Sequence, residues 1–313
     1  MTKKAVVAVG GNSLILDNKH QSVASQYEAV AKTVGHIAGM IARGYEVVIT
    51  HGNGPQVGFI LLRSEIARNQ MHTVPLDSCG ADTQGAIGYN FQMALANEFK
   101  RRGIKKSAVT VVTQVVVDKD DPAFKDPSKP IGPFYSEEEA ALRKEKDGWD
   151  VVEDAGRGWR RVVASPLPKE IVEFDAIRKL IDGGIVVIAV GGGGIPVVRN
   201  EKGDLQGTAA VIDKDYASAL LASKLKVDLF IISTAVEKVC INFGKPNQEA
   251  IDRMTAAEAK GYIEEGHFKP GSMLPKIKAV LNFLSMGGKE ALITDPAHLE
   301  DALDGKTGTR IVP

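Results

Sequence analysis

Several runs of apolar residues along the chain end in glycine. The run IVVIAV at 185–190 is continuously apolar and rich in β-branched residues, as expected of a strand buried on both faces of a parallel sheet. Four glycines follow it directly. The run AVVAV at 5–9 ends at Gly10, and the run EVVIT at 46–50 ends just before Gly52. Each run therefore predicts a central strand whose carboxyl end turns sharply.

Segments with helical spacing alternate with these strands. After the first strand, apolar residues recur at helical intervals at Val30, Val34, Ile37 and Ile41. We expect Ser25 and Glu28 to form a capping box at the start of this helix and Gly44 to follow its end. Pro55 suits the first position of the next helix. Such alternation predicts a parallel sheet with crossover helices.

The same reading extends along the rest of the chain. Further helices are expected at 81–102, 169–181, 213–225, 256–265 and 274–285. Further strands are expected at 108–117, 228–233, 291–294 and 309–312, and a hairpin at 196–208.

The stretch from 118 to 165 interrupts this alternation. Residues 118–135 include four prolines, and Ser136 and Glu139 are spaced to cap a short charged helix. Residues 149–163 are typical of a polar hairpin that turns at 155–158. We expect a lid or small subdomain at about 118–165 within a single domain spanning residues 1–313.

The charge balance and the cysteines narrow the function. The 313 residues include 39 Lys and Arg against 39 Asp and Glu, so a nucleic-acid or membrane partner is not expected and a small polar ligand is. Cys79 and Cys240 fit no metal or redox spacing, which indicates a reducing compartment. No apolar run is long enough for a signal peptide or a membrane span. We therefore expect a cytoplasmic protein.

The glycine clusters predict one shared crevice. They are Gly10, Gly11 and Asn12; Gly52, Asn53 and Gly54; and Gly191, Gly192, Gly193 and Gly194. Ligands of open parallel sheets bind at the carboxyl ends of the strands. Backbone N–H groups at glycine turns and helix N-termini favour anions there. The side chains of Asn12 and Asn53 either add donors or bond to their own backbone.

Lysines beside acids indicate phosphoryl chemistry, which needs positive charge around the phosphate oxygens. Lys214 lies between Asp213 and Asp215. Lys276 directly follows Pro275 in the first turn of a predicted helix, where a positive charge opposes the helix dipole and suggests a nearby anion. An ordinary surface lysine is the alternative at both positions, and Lys129 stays ambiguous on these grounds.

Other chemistries fit the sequence less well. Gly305, Lys306 and Thr307 look like the end of a Walker loop, but Glu300 stands where that loop needs glycine. The dinucleotide motif that begins at Gly52 is only partial. His51 lacks a His or Cys partner at metal-ligand spacing and is better explained as a packed or capping residue.

Six ordered motifs resemble those of the carbamate kinases of the amino acid kinase superfamily. They are VVAVGGN at 6–12, ITHGNGPQVG at 49–58, KPIGPFY at 129–135, AVGGGGIPV at 189–197, AVIDKDYASALLA at 210–222 and GSMLPKI at 271–277. The resemblance implies an α/β fold, a three-layer αβα sandwich with an open, mainly parallel central sheet. It also implies a homodimer and reversible phosphoryl transfer between ATP and carbamate, giving ADP and carbamoyl phosphate.

The resemblance also assigns roles to residues. Lys129, Lys214 and Lys276 would bind phosphate, and Asp215 would organise them. The Gly10–Asn12 and Gly52–Gly54 loops would hold carbamate, and residues 185–313 the nucleotide. Nucleotide or phosphate contacts are expected from Gly192, Gly193, Gly194, Asp213, Ser233, Thr234, Lys238, Met273 and Pro275. Mg²⁺ would accompany ATP or ADP through phosphate oxygens and water, because the sequence offers no compact carboxylate cage.

Two departures from the wider superfamily matter. Ala8 stands where many members carry a lysine, so Lys129 and Lys214 would replace that charge and residues 118–165 would form a lid with a catalytic cation. Ala235 stands where many members carry an acid, which leaves the adenine and ribose contacts open. We expect direct in-line transfer. A kinase for another small carboxylate and a nucleotide-binding regulator without activity remain alternatives, and the sequence does not set the physiological direction.

Overall fold

A sheet of eight strands lies at the centre of the computed structural model, which describes residues 2–11, 14, 22–154, 156 and 158–313. In spatial order its strands are β15 (Arg253–Thr255), β17 (Thr309–Val312), β16 (Ala291–Thr294), β12 (Leu229–Ser233), β1 (Lys4–Val9), β2 (Glu46–His51), β9 (Val186–Ile188) and β3 (Ala108–Thr110). Neighbours are parallel from β16 to β3, and β17 runs antiparallel to β16. The predicted mainly parallel sheet is therefore confirmed.

Helices cover both faces of this sheet because successive side chains of a strand point to opposite faces. On β1, Val7 packs with α1 (Val23–Ala42), α3 (Leu76–Arg102) and α9 (Leu299–Leu303), whereas Val6 belongs to the core on the other face. That second core contains α5 (Phe174–Asp182), α6 (Lys214–Leu225), α7 (Ala256–Glu264) and α8 (Met273–Ser285). These layers make the three-layer αβα sandwich that the sequence predicted.

Smaller sheets are attached to this sandwich. One has the order β11 (Leu205–Gly207), β10 (Ile195–Arg199), β4 (Gln114–Val117) and β8 (Pro168–Ile171). Another pairs β13 (Val239–Ile241) with β14 (Glu249–Ile251). A third combines β5 (Lys129–Tyr135), β7 (Trp159–Val163) and β6 (Asp150–Glu153), with α4 (Glu137–Asp147) between β5 and β6. We call residues 129–163 the small subdomain.

The small subdomain lies against α2 (Gly54–Ile66) of the main body. A Cβ built on Gly58 of α2 would lie 2.0 Å from the Cα of Gly132 in β5, so the two backbones are in direct contact. Beside them, Arg161 of β7 forms an ion pair of 2.7 Å with Glu65 of α2. Because α2 starts at the glycine loop after β2, the small subdomain is coupled to that loop.

Several local predictions are confirmed. Gly44 follows the end of α1 with φ 89°, and Ser136 and Glu139 form a complete capping box on α4. The helix predicted at 213–225 is present as α6, which begins at Lys214 with Asp213 as its N-cap, and β10 and β11 form the predicted hairpin. The hairpin of β6 and β7 also exists, although residues 155 and 157 of its predicted turn lie outside the described residues.

The predicted strand at 108–117 is wrong as a single strand. It is divided between β3 of the central sheet and β4 of the second sheet. The chain changes sheets at Thr113, whose backbone N–H donates to the side chain of Gln84 over 2.7 Å. The Thr113 hydroxyl donates to the carbonyl of Val111 over 2.6 Å. Side-chain hydrogen bonds thus replace strand pairing at that point.

Four helix starts also differ from the prediction. The capping box of Ser25 and Glu28 is wrong, because Ser22 caps α1 by accepting from the backbone N–H of Ser25. The helix predicted from 169 begins only at 174, because residues up to Ile171 pair with β4 as β8. Helix α3 starts at 76 instead of 81, and Pro55 is the second residue of α2, not the first. No helix in the described ranges is long and apolar enough to cross a membrane.

Candidate active site

A crevice of about 230 Å³ opens where β1, β2 and β9 end. The sequence-predicted residues that line it are Gly11, Gly52, Asn53, Gly54, Lys129, Gly192, Asp213, Lys214, Asp215, Pro275 and Lys276. The N-termini of α2 and α6 lie at the same crevice, where their backbone N–H groups favour negative charge. All four residues expected to be catalytic are therefore brought together.

Asp215 joins two of the lysines. One carboxylate oxygen accepts from Lys214 Nζ over 2.5 Å and the other accepts from Lys276 Nζ over 3.0 Å. Burial alone would raise the pKa of Asp215, but the two adjacent ammonium groups outweigh it and hold that pKa well below its usual range. Asp215 thus stays ionised and fixes two ammonium groups at the crevice.

Asp213 joins the third lysine to the same helix. Its Oδ1 accepts from the backbone N–H of Asp215 over 2.9 Å, as an N-cap does. Its Oδ2 accepts from Lys129 Nζ over 2.6 Å. Lys129 is the first residue of β5, so the small subdomain reaches the crevice through this ion pair.

The glycine turn after β9 is held by close packing. A Cβ added to Gly191 would lie 2.5 Å from His51 Nε2, and one added to Gly192 would lie 2.2 Å from the Asn53 amide nitrogen. At Gly193 and Gly194 an added Cβ would meet the Ile212 carbonyl oxygen and a Val115 methyl at 2.3 and 2.2 Å. Any side chain in this turn would separate it from a neighbouring element. Of the three predicted phosphate-contacting glycines, only Gly192 lines the crevice.

The residue before this turn, Val190, has a left-handed backbone, with φ 53° and ψ 32°. This conformation is uncommon for a β-branched residue. The backbone N–H of Val190 donates to the Thr113 hydroxyl over 3.0 Å, and its side chain is fully buried. Backbone strain of this kind persists only where surrounding packing imposes it and is typical of functional sites.

His51 and Asn53 position the loop after β2. His51 is fully buried, and its Nδ1 donates to the Gly52 carbonyl over 2.9 Å. Its Nε2 has no hydrogen-bond partner among the described residues. Burial lowers the pKa of His51 to about 4, with a smaller lowering by Lys214 against the effect of the Gly52 hydrogen bond. The amide of Asn53 donates to the Thr83 hydroxyl over 2.9 Å, so this donor faces the protein.

Other predicted site residues lie outside the crevice. Gly10 donates its N–H to the Ser233 carbonyl over 3.0 Å, and Thr234 directly follows β12. Lys238 and Met273 line a separate pocket of about 90 Å³ together with Cys240 and Phe243. Asn12 lies outside the described residues.

Ser272 lines both the crevice and this pocket, so the two are adjacent. Sequence reasoning missed the pocket residues Phe243, His267 and Phe268. They come from the loop after β13 and the segment before α8, which carry no motif.

The acids of the crevice do not form a metal site. Asp213 and Asp215 both accept from lysine ammonium groups. Within the described ranges, no group of three or more His, Cys, Asp or Glu residues is placed to hold a metal ion. A cage of protein oxygens around Mg²⁺ does not fit these residues, whereas an ion carried in by nucleotide phosphates does.

The fold and the crevice define a small-molecule kinase class, and comparison with known proteins identifies it. The sequence profile of the amino acid kinase family matches residues 3–295, and the chain belongs to that family.

Similar proteins include named carbamate kinases. The chain is 49% identical to carbamate kinase of Thermococcus kodakarensis, over 99% of each chain. It is 56% identical to the carbamate kinase-like protein YahI of Escherichia coli, over 100% of this chain and 99% of that one. The structure of carbamate kinase from Giardia lamblia bound to AMP-PNP superimposes with a TM-score of 0.92 at 43% identity, over 99% and 98% of the two chains. The resemblance drawn from the six motifs is confirmed.

Proposed function

We propose that the protein is a carbamate kinase, which transfers a phosphoryl group reversibly between ATP and carbamate to give ADP and carbamoyl phosphate. The observation that carries this proposal is the pairing of Lys214 and Lys276 on the single buried carboxylate of Asp215 at the crevice. This arrangement presents fixed positive charge where phosphate oxygens would lie. The similarity to named carbamate kinases over the whole chain supports the choice of carbamate as acceptor.

The chemistry is direct in-line transfer. A carbamate oxygen attacks the γ-phosphorus, the bond from that phosphorus to the bridging oxygen breaks, and its electron pair stays on the β-phosphate of ADP. The attacking oxygen is already ionised at neutral pH, so no general base is needed. Lys129, Lys214 and Lys276 supply the charge that stabilises the transferring group, which is the main requirement of phosphoryl transfer.

The two sides of the crevice have different roles in this proposal. Gly11, Gly52 and Gly54 line the carbamate side, and the helix dipole of α2 favours the anion there. The pocket with Lys238 and Met273 takes the nucleotide, with Ser272 at the passage to the crevice. Mg²⁺ enters as part of the substrate, MgATP or MgADP, because Asp213 and Asp215 of the crevice already form ion pairs with lysines.

The small subdomain acts as a lid in this proposal. It carries Lys129 into the crevice and contacts the rest of the chain mainly through α2. Closure over bound substrates would exclude water from the transferring group.

We also propose that the protein is a cytoplasmic homodimer. Tyr89 on α3 and Val112 after β3 are 62% and 54% exposed, and we assign them to the contact with a second copy. The free thiols of Cys79 and Cys240 agree with a reducing compartment. Sedimentation of wild type and Tyr89→Lys tests the dimer, and fractionation of cells tests the location.

The direct test mixes the protein with MgADP and carbamoyl phosphate and measures ATP by luciferase. We expect ATP formation that Lys276→Ala reduces strongly. The reverse assay offers MgATP with carbamate, acetate or an N-acyl amino acid. ATP formation absent despite intact nucleotide binding would contradict the proposal, and transfer to another carboxylate would reassign the acceptor.

A further inference from the structure

Two neighbouring carboxylates, those of Asp213 and Asp215, form ion pairs with three lysines of the crevice. Asp215 takes Lys214 and Lys276, as described above. Asp213 takes only the lysine of the small subdomain, Lys129, at 2.6 Å. The three lysines thus come from three separate elements, β5, α6 and α8.

Both oxygens of Asp213 are used by the protein itself. Oδ1 accepts from the backbone N–H of Asp215, and Oδ2 accepts from Lys129. A carboxylate at the crevice would repel a phosphate group and leaves no donor for it. Direct binding of phosphate is therefore a poor explanation of Asp213.

Lys129 depends on this partner for its position. Asp213 is the sole acid paired with Lys129 among the ion pairs of the described residues. Lys129 Nζ ends a long side chain that is 30% exposed. Without the ion pair to Asp213, this side chain would sample several rotamers. Its backbone is held elsewhere, where Gly132 of the same strand contacts Gly58 of α2.

We propose that Asp213 is a positioning residue that acts through Lys129, holding its ammonium group in the crevice and connecting the small subdomain to the start of α6. This inference rests on the proposed phosphoryl transfer. Loss of Asp213 would leave Lys129 in the chain but not in place, and misplacing a reacting or stabilising group by about 1 Å can cost about 10²-fold in rate.

Two variants separate positioning from helix capping. Asp213→Ser keeps a good N-cap but removes the carboxylate, whereas Asp213→Asn keeps the shape of the side chain. If Asp213 acts through Lys129, both variants lose about 10- to 100-fold in kcat/KM for carbamoyl phosphate. If the only role of Asp213 is to cap α6, Asp213→Ser will have the wild-type kcat/KM, and that result would overturn the proposal.

Asp228 provides a matched control. Its carboxylate accepts from a backbone N–H, that of Lys4, over 2.9 Å and from an ammonium group, that of Lys289, over 2.6 Å. These are the same two kinds of contact as at Asp213, but none of the three residues lines the crevice. We expect Asp228→Asn to lower the melting temperature without lowering kcat/KM.

A double-mutant cycle with Lys129→Met tests the coupling. Adding Asp213→Ser to Lys129→Met should cause no further loss, because the group that Asp213 positions is already absent. Multiplicative losses would show that Asp213 acts independently of Lys129 and would overturn the proposal.

A measurement without catalysis keeps this test separate from that of the proposed function. Acetic anhydride labelling, read residue by residue by mass spectrometry, reports how free each lysine amine is. We expect Lys129 to label several-fold faster in Asp213→Ser than in wild type. In Asp228→Asn we expect it to label at the wild-type rate. Unchanged labelling of Lys129 would overturn the positioning role, whereas wild type that labels as expected but forms no ATP would instead overturn the proposed function.

Discussion

Acidification should destabilise the folded protein through His51. Burial lowers the pKa of this histidine from 6.5 to about 4 in the folded state, whereas the unfolded chain keeps the ordinary value. Between these two values the unfolded state binds more protons, so the free energy of unfolding decreases as pH decreases. The stabilising contribution is complete above pH 6.5 and is lost progressively toward pH 4.

The magnitude follows from the two pKa values. The full shift is worth about 3 kcal/mol at roughly 1.4 kcal/mol per pKa unit. Between pH 7.5 and pH 5.0 the linkage relation gives a loss of about 2 kcal/mol. No reduction for solvent screening applies, because His51 is fully buried.

Urea unfolding followed by circular dichroism at pH 7.5, 6.5, 5.5 and 5.0, at one protein concentration, measures this loss. His51→Asn keeps an N–H donor near the Gly52 carbonyl but cannot titrate. We expect the acid-induced loss in this variant to be smaller than in wild type by about 2 kcal/mol.

His298 gives a control of opposite sign. The hydrogen bond with Asp295 raises the pKa of this half-buried histidine, so its stabilising contribution is present at acidic pH and lost as pH rises. His298→Asn should therefore steepen the acid-induced loss. Equal pH dependence in His51→Asn and wild type would refute the reasoning about the buried imidazole.

Four further predictions follow from the site and the core. Lys276→Ala should lower kcat by about 10²- to 10³-fold with an unchanged circular dichroism spectrum, and wild-type turnover would remove Lys276 from the mechanism. Gly58→Ala should separate α2 from Gly132, and kcat/KM for carbamoyl phosphate should decrease together with the melting temperature; unchanged values would mean that this contact yields easily. A tenfold excess of EDTA over Mg²⁺ should abolish ATP formation, and persistent activity would contradict MgADP as substrate. Phe283→Ala in the fully buried core should cost about 3–5 kcal/mol in urea unfolding, and a loss below about 1 kcal/mol would contradict the packing described.

The periodic parts of the fold could be predicted from the sequence. Buried runs such as 185–190 and the glycines that follow them carry a strong local signal, since a strand buried on both faces is apolar throughout. The lysine between two acids at 213–215 also indicated phosphate chemistry locally. Convergence of Lys129 and Lys276 on that triplet is a tertiary fact, and only the family resemblance anticipated it.

The failures have a physical cause in common. Strands β3 and β4 lie in one run of mostly β-branched residues at 108–117. No local propensity marks the point where the side chain of Gln84 in α3 accepts from the backbone N–H of Thr113. In the same way β8 is a strand because β4 lies beside it, although its sequence is polar at Lys169 and Glu170. Long-range partners decided these elements, and such partners leave no local pattern.

The sequence also did not show why the turn after β9 needs four glycines. Four glycines predicted a backbone open to an anion, but an added Cβ would meet protein atoms at each position. Glycine is required wherever backbones or side chains approach closely, and sequence alone does not tell which neighbour approaches.

The distribution of charge in the crevice has a consequence for selectivity among anions. Three ammonium groups face two carboxylates, so the formal charge of this cluster is three minus two, or one positive charge. A cluster with so small an excess attracts chloride or sulfate only weakly, unlike three unpaired lysines. The abundant small anions of a cell would then compete poorly for the crevice, and a ligand must combine several contacts to occupy it.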